Sequence, residues 1–391
     1  MKKASLVLAL VVLAAAESRA QQAAHPRGLG ISGIPAVGFD ADEGFGYGAI
    51  LQVSDYGDGT VAPYRFMLQP TVFFTSKGRR DMLVFVDAPH ALPGDWRFSG
   101  IIGRQQQLAT PYYGTGNTSV FNDALVTKSN PYYYRYGRTV RLATGNLQHS
   151  IGLPSVRLLV GAGIQDTKLK ATPYDSGTTL FAATFGTADA PASTARYVRG
   201  GLVVDTRDRE IGTHSGNWSD LIFQKVGLGG DESFNRITGT FRQFVPLGER
   251  LTFAERVLVQ TTTGNPPVWE LSYVQSSFRD DEALGGATSI RGIPRNRYVG
   301  KGVAFSNSEL RWDVAHFDVM HHSTSLILSG FVDAGRVWQN GVAASSIIQD
   351  LHVGYGGGAH LAIGPTFVVT GDVGHSSQST AAIYLGVGYL F

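Results

Sequence analysis

The chain has 391 residues, and its 33 Lys and Arg nearly balance its 31 Asp and Glu, which leaves no basic excess to hold nucleic-acid phosphates. It contains no cysteine, which excludes a disulfide framework and a thiolate metal site. Its 49 Gly, 21 Phe and 16 Tyr are unusual for a soluble domain. They suit a transmembrane barrel, in which small residues relieve crowding and aromatic rings lie at the membrane interfaces.

The N-terminal end of the chain is typical of a secretory signal peptide. Lys2 and Lys3 precede an apolar run from Ala4 to Ala16, and Ser18-Arg19-Ala20 supplies the small residues of a cleavage site. The run is too short to span a bilayer, and no other such run occurs in the sequence. We therefore expect residues 1–20 to be removed after export, and a membrane location requires strands.

Alternation with a period of two residues predicts those strands. Transmembrane strands of about 9–11 residues alternate lipid-facing apolar side chains with polar or small ones that face the lumen. Residues 303–314 and 325–338 follow this pattern, which places Glu309 and Asp333 on the lumen face. The outward side chains of the first segment are Leu310, Trp312 and Val314, and its inward ones are Asn307, Glu309 and Arg311.

The same alternation along the chain predicts an all-β fold, a transmembrane antiparallel β-barrel of about sixteen strands over residues 34–391. Fourteen strands are the alternative count, and a soluble sandwich is disfavoured by the signal peptide and the apolar outward face. An even count places both termini in the periplasm, including a short segment at residues 21–33. The longest predicted loops, residues 166–195 and 263–302, then lie outside the cell.

The chain ends on an alternating segment closed by an aromatic residue. The side chains expected to face outward are Ile383, Leu385, Val387, Tyr389 and Phe391. This ending resembles the C-terminal recognition signal of bacterial outer-membrane proteins, which implies an insertion signal at Tyr389 and Phe391. The sequence therefore predicts the outer membrane as the location and its lipids as partners.

Three motifs follow one another in the last third of the chain. The second long loop contains Ser289-Ile290-Arg291-Gly292-Ile293-Pro294, and Ser306-Asn307-Ser308-Glu309-Leu310-Arg311 and Phe331-Val332-Asp333-Ala334-Gly335-Arg336-Val337-Trp338 come after it. In this order they resemble the "VRGF/Y" loop and the two following strands of the BamA/TamA-like outer-membrane assembly and secretion barrels. Ile293 replaces the aromatic residue of the loop motif.

A fourth motif lies upstream of these three. Asp205-Thr206-Arg207-Asp208, followed by Gly216, resembles the family's periplasmic turn, with Thr213 in place of the usual proline. Asp205, Arg207, Asp208 and Gly216 are therefore the expected residues of a family-motif turn.

The resemblance implies that the motif loop folds back into the lumen and that Arg291 pairs with acids on the two following strands. Glu309 and Asp333 are the inward acids there, and one planar guanidinium can engage two carboxylates. The alternative is a solvated Arg291, with the acids lining a water-filled pore. The motif context favours the buried bridge, with Gly292 beside it at the loop tip.

The resemblance also implies a role in inserting or translocating proteins or lipids at the outer membrane, with client outer-membrane or secreted proteins as partners. Family members with this role usually carry periplasmic POTRA domains, for which residues 21–33 leave no room. We therefore expect a barrel-only member, and a separate periplasmic protein is a candidate partner. A passive channel, or a structural barrel plugged by its own loop, is the alternative function.

Other candidate sites are weaker. A barrel hydrolase lacks support because no Gly-x-Ser-x-Gly elbow is present, and His149 and Ser150 would point to opposite faces of a strand. The acidic hairpin residues Asp40, Asp42 and Glu43 lack the full pattern of a calcium loop. The adjacent pair His321 and His322 lacks further ligands at suitable spacing. We expect no enzyme activity, cofactor or metal.

Overall fold

The computed structural model describes residues 27–391 apart from residues 62, 176, 189–191, 211, 320–321, 342–343, 364–366 and 388–389. Sixteen strands close into one antiparallel barrel, which confirms the predicted fold class and strand number. The strands, in chain order, are β1 (Leu29–Asp40), β2 (Gly44–Asp55), β3 (Phe66–Thr75), β4 (Arg79–Ala88), β5 (Trp96–Pro111), β6 (Arg135–Ile151), β7 (Leu153–Lys170), β8 (Ser193–Asp205), β9 (Gly216–Val226), β10 (Ser233–Pro246), β11 (Leu251–Asn265), β12 (Tyr273–Val274), β13 (Asp281–Glu282), β14 (Gly302–Val319), β15 (His322–Trp338), β16 (His352–Ile363), β17 (Phe367–Ser376) and β18 (Ser379–Val387). Strands β12 and β13 are not part of the barrel sheet and form a small sheet of their own.

The helical elements of the described residues are all short. They are the α-helix Leu180–Phe185 and the 3₁₀ helices Asp123–Leu125, Pro173–Asp175, Val268–Ser272 and Ala344–Ser346. Within the part of the chain that the structure describes, no helix has the length and apolar character needed to cross a membrane.

Alternation along each strand separates the lipid-facing wall from the lumen. On β14, Leu310 and Trp312 are 44% and 53% exposed, whereas Asn307 and Glu309 are fully buried on the other face. This is the orientation that the sequence predicts for these four residues, whereas a register shift between Asp313 and Ala315 interrupts the alternation at the predicted outward residue Val314. Because successive side chains of a strand point to opposite faces, the buried polar residues of the barrel line its lumen.

The C-terminal residue departs from the predicted alternation. Strand β18 ends at Val387, and Phe391 lies beyond it. The Phe391 ring packs near Phe244, and the guanidinium groups of Arg256 and Arg311 lie over it. Leu390 and Phe391 are described and are not part of a strand, and the Phe391 ring contacts buried lumen residues instead of facing outward. The expected insertion-signal residue Tyr389 lies outside the described residues.

The two ends of the barrel differ in their connections. Residues 112–134, 171–192, 266–301 and 339–351 form long connections at one end, which we call the loop end. The first described residues and the C-terminal residue lie at the opposite end, which we call the terminal end, and β1 begins at Leu29 instead of residue 34. The two predicted long loops are shorter than expected because the flanking strands continue, and residues 112–134 form a further long loop. The predicted signal peptide lies outside the described residues.

The barrel closes between β1 and β18, a junction that we call the seam. Strand β1 pairs with β2 along its whole length, from Leu29 opposite Asp55 to Asp40 opposite Gly44. Between β1 and β18, only Phe39 opposite Leu385 and Asp40 opposite Tyr384 are paired among the described residues. Over the residues that the structure describes, the seam therefore has far fewer paired residues than the β1–β2 pair.

Candidate functional site

Residues 266–301, which we call the lumen loop, fold from the loop end back into the barrel. Apolar side chains of the loop form a buried cluster with the inner wall of β11, β14 and β15. The loop contributes Val274, Ala283, Leu284, Ile290, Ile293 and Tyr298, and the wall contributes Leu258, Val303, Phe305 and Val337. Ile293 is 1% exposed within this cluster, so an aliphatic side chain fills the place of the family's aromatic residue.

The Arg291 guanidinium lies at the centre of a buried ion-pair network. Its Nε and Nη2 atoms donate to the two Asp333 carboxylate oxygens at 2.8 and 3.0 Å. Its Nη1 atom donates to Glu309 at 2.7 Å. Arg291 is 1% exposed, and both acids are equally buried. The structure thus brings together the three charged residues that the sequence singles out, in the bidentate geometry that suits a guanidinium.

Further groups complete this network. Asp372 on β17 is a third acid, 3.3 Å from Arg291 Nη1, and the Phe331 ring lies under the guanidinium at 3.4 Å. Each acid also has another partner: Arg311 donates to Glu309, the Asn307 amide to Asp333, and Asp372 lies 2.9 Å from the His360 ring nitrogen. Sequence reasoning missed Asp372, although the alternation on β17 would have placed it inward.

Glycine makes room for the loop tip against the barrel wall. Gly292 has a φ of +94°, and a Cβ atom there would lie 2.7 Å from the His375 backbone. Cβ atoms at Gly354 and Gly374 would lie 2.0 Å from the Arg291 carbonyl oxygen and 2.6 Å from the Gly292 nitrogen. Real side chains do not tolerate these distances, so the glycines allow the close approach of the two backbones.

The loop tip contacts both sides of the seam. On the β18 side, the Gly292 N–H donates to the Tyr384 hydroxyl at 3.1 Å. On the β1 side, the Arg295 N–H donates to the Asp42 carboxylate at 2.7 Å, and Arg295 also forms an ion pair with Glu43. Tyr384 is itself one of the paired residues of the seam. The lumen loop therefore bridges the seam from inside.

Two acidic residues of the hairpin between β1 and β2, Asp42 and Glu43, are partners of Arg295 in this contact. Asp40 caps the turn by accepting from the N–H groups of Asp42 and Glu43 at 2.7 and 3.0 Å. Burial and, to a smaller extent, the negative charge of Asp40 raise the pKa of the Asp42 carboxyl to about 6, against a lowering by the Arg295 N–H. The three acids therefore hold the turn and the lumen loop.

The lumen loop also crosses to the far wall of the barrel. The Gln148 amide donates to the Ser277 carbonyl at 3.4 Å, and the Ser277 hydroxyl donates to Asp220 at 3.0 Å. The Phe278 ring packs edge-on against Phe85 at 4.9 Å. Because these contacts lie opposite the Arg291 network, the loop occupies the lumen from wall to wall.

The family-motif turn lies at the terminal end. The Arg207 guanidinium donates to both carboxylate oxygens of Asp205 at 2.9 and 2.7 Å, and the Asp208 carboxylate accepts from two backbone N–H groups of the same turn. Gly216 has a φ of +107°, and a Cβ atom there would lie 2.2 Å from the Thr206 carbonyl oxygen. The Thr213 hydroxyl donates to the Arg209 carbonyl at 2.8 Å, a bond that the usual proline could not make.

The remaining candidate residues are not brought together into one site. The His149 ring stacks on Trp96 with ring centres 4.3 Å apart, whereas the Ser150 hydroxyl donates to the Pro154 carbonyl at 3.4 Å. His321 and the side chain of His322 lie outside what the structure describes.

Comparison with known proteins gives a family and a set of structural neighbours. The Omp85 superfamily domain matches residues 84–367. The chain is similar to BamA from Haemophilus ducreyi lacking POTRA domains 1–3, with a TM-score of 0.59 and 13% identity over 93% of this chain and 70% of that one. CdiB from Escherichia coli has a TM-score of 0.57 and 12% identity over 91% and 62% of the two chains. CdiB from Acinetobacter baumannii has a TM-score of 0.54 and 12% identity over 93% and 60%.

These identities indicate a shared fold. The chain spans less than two thirds of the length of either CdiB chain. No curated protein matches its sequence.

Proposed function

The chain belongs to the Omp85 superfamily of outer-membrane barrels, and from this premise we propose that it assists the insertion or translocation of proteins or lipids at the outer membrane. The observation that carries the proposal is the seam, where two residue pairs join β1 and β18 in the described part of the chain. In a bilayer, backbone groups that lack a partner are costly, so a weakly paired strand edge favours pairing with an incoming strand. Clients are therefore expected to enter at the seam.

Features of β1 support this role. Pro35 lies within β1 opposite Ala49 of β2 and lacks an N–H, which is tolerated in strands mainly at sheet edges. A Cβ atom at Gly38 would lie 2.7 Å from the Leu385 carbonyl oxygen, so glycine permits close approach where the seam is paired. Strand β1 thus carries a proline typical of sheet edges, and only a short described segment of it, Phe39 and Asp40, pairs with β18. A strand that separates from β18 when the seam opens requires both features.

The lumen loop supplies a means of control. Its tip bonds to Tyr384 on one side of the seam and to Asp42 on the other. Opening the seam by separating these strands must break or stretch one of the two contacts. We infer that the Arg291 network positions the tip, and that the tip holds the seam closed in the resting state. A separate periplasmic protein would deliver clients to the terminal end.

The test is an insertion assay with the purified full chain in lipid vesicles. An unfolded outer-membrane barrel is added, and its folding is followed by heat-resistant migration. We expect faster folding than in protein-free vesicles, and cells that lack the protein should show altered outer-membrane protein content. Unchanged folding rates together with unchanged outer-membrane content would contradict the proposal.

A closed structural barrel is the second candidate, favoured by the wall-to-wall contacts of the lumen loop. The Ser277 contacts on the far wall leave the lumen occupied on the side opposite Arg291. Such a barrel would show neither client folding nor steady conductance in a planar bilayer, whereas a passive channel would conduct. We also propose that the protein has no enzymatic activity, since His149 and Ser150 contact different partners.

A further inference from the structure

A row of basic residues lies on the outside of the barrel near the loop end. On six consecutive strands, β4 to β9, the outward face carries one exposed basic side chain on the loop-end side of its apolar residues. The six residues are Arg80, Arg104, Arg141, Lys168, Arg196 and Lys225. We call this set the basic row.

Apolar residues continue each outward face towards the terminal end. Two residues away from a basic residue, on the side of the terminal end, lie Met82 next to Arg80, Ile102 next to Arg104 and Phe223 next to Lys225. Each of these apolar side chains is between 49% and 58% exposed. The charges therefore lie where the lipid-facing band meets the interface, at the depth of lipid headgroups.

The basic row has little internal compensation. Within the described residues, none of the six forms an ion pair with a carboxylate; Arg104 donates to the Gln106 side chain and Arg196 to the Gly229 carbonyl. Arg104 and Arg141 lie directly opposite each other on β5 and β6, an arrangement of like charges that is unfavourable without a counter-ion. Asp166, opposite Arg141 on β7, is one acid against the six cations.

A cavity opens beside the first two residues of the row. Its volume is about 330 Å³, and it is lined by Tyr47, Phe74, Arg80, Met82, Arg104 and Gln106. The ring centres of Tyr47 and Phe74 are 5.8 Å apart and form an aromatic wall. Two guanidinium groups thus border an apolar surface, a combination that matches an anionic headgroup with a hydrocarbon chain below it.

We propose that the basic row binds phosphorylated headgroups of lipids in the leaflet that faces the cell exterior. Guanidinium groups bind phosphate through paired hydrogen bonds, and exposed cations at the headgroup level gain from anionic lipid. A free phosphate ion would have no use for the aromatic wall or for the apolar side chains below the row, which favours a lipid. The row lies on strands β4 to β9, so bound lipids leave the seam free.

The test uses the full chain in phosphatidylcholine nanodiscs, with diphosphorylated lipid A as the probe. Bound lipid A is counted by native mass spectrometry, and its apparent affinity is measured by titration. We expect Arg104→Gln/Arg141→Gln to bind lipid A roughly tenfold more weakly, because each cation near an anionic surface contributes a several-fold effect. The control Arg65→Gln/Lys301→Gln makes the same change in charge away from the row. Heat-resistant migration checks that both variants fold.

Two further arms identify the ligand. In the first arm, lipid A without its phosphates is added to the wild-type protein, and its affinity should be no higher than that of intact lipid A for the row variant. In the second arm, inorganic phosphate at millimolar concentration should not displace bound lipid A from the wild-type protein. Equal binding by the wild type and the row variant would overturn the proposal. Equal binding of the dephosphorylated lipid, or displacement by inorganic phosphate, would overturn it as well.

Discussion

Replacing Arg291 by methionine tests the ion-pair network most sharply. The substitution removes the guanidinium while keeping a side chain that fills much of the same space. Glu309 and Asp372 retain Arg311 and His360 as partners, so the main loss falls on Asp333, which is fully buried and gives up two hydrogen bonds at 2.8 and 3.0 Å. Leaving one buried carboxylate without its partner costs ~3–5 kcal/mol, and the retained contacts place Arg291→Met near the lower value.

The expected loss is measured as the free energy of unfolding in detergent micelles, by denaturant titration followed with tryptophan fluorescence and heat-resistant migration. Arg297→Met is the matched control, because Arg297 is an equally buried arginine of the lumen loop that bonds to Ser119 and Gln378 without a carboxylate. We expect the control to lose ~1–2 kcal/mol, as for neutral hydrogen-bond partners.

A double-mutant cycle separates the ion pair from general packing. With Asp333→Asn as the second change, the double variant should be less destabilised than the sum of the single variants by ~2 kcal/mol, since the two residues share one interaction. Equal losses for Arg291→Met and Arg297→Met, together with additive effects in the cycle, would refute the network as the anchor of the lumen loop.

Three other predictions concern the lumen loop and the residues of the barrel that contact it. In the folded protein the pKa of the Asp42 carboxyl is raised from its usual 3.8 to about 6, so the carboxyl keeps its proton up to that pH. From pH 4 to pH 7 the free energy of unfolding of the wild-type protein should therefore fall by ~1–3 kcal/mol relative to that of Asp42→Asn, and parallel pH curves would contradict this. Gly354→Ala, whose Cβ atom meets the Arg291 carbonyl, should cost ~1–3 kcal/mol, whereas Gly330→Ala, with nothing within 4 Å, should cost less than 1 kcal/mol. Replacing residues 275–297 by a short glycine linker should convert a non-conducting barrel into a conducting one in planar bilayers, because a sixteen-stranded lumen is wide enough for a channel. A folded variant that does not conduct would argue against the loop as the plug.

Local alternation accounts for what could be predicted from the sequence. The period of two residues is a property of each strand alone, so it placed Glu309 and Asp333 in the lumen without knowledge of their neighbours. The loop motif then supplied Arg291 as their partner through family resemblance. The same alternation fails at Phe391, because it applies only within a strand, and Leu390 and Phe391 are not part of one.

Contacts that depend on closure of the barrel could not be predicted in this way. The bond from the Arg295 N–H to Asp42 joins residues 253 positions apart in the sequence, and it exists because the loop tip meets the seam. Asp372 joins the Arg291 network because β16 and β17 complete the wall beside it. Neither the register of a distant strand nor the path of a loop through the lumen is encoded in a local pattern.

A reversible disulfide across the seam tests the proposed function most directly. The chain has no cysteine, so Phe39→Cys/Leu385→Cys introduces the single possible crosslink, between residues that lie opposite each other at the seam. Opposed residues of antiparallel strands have Cα atoms about 4.5–5.5 Å apart, within the range that a disulfide spans. The control pair Val332→Cys/Tyr355→Cys links β15 and β16, which are paired over most of their length. We predict that the oxidised seam variant folds but loses client insertion in vesicles, and that it regains insertion on reduction. The control pair should keep its activity in both states. Full activity of the oxidised seam variant would contradict entry of clients at the seam.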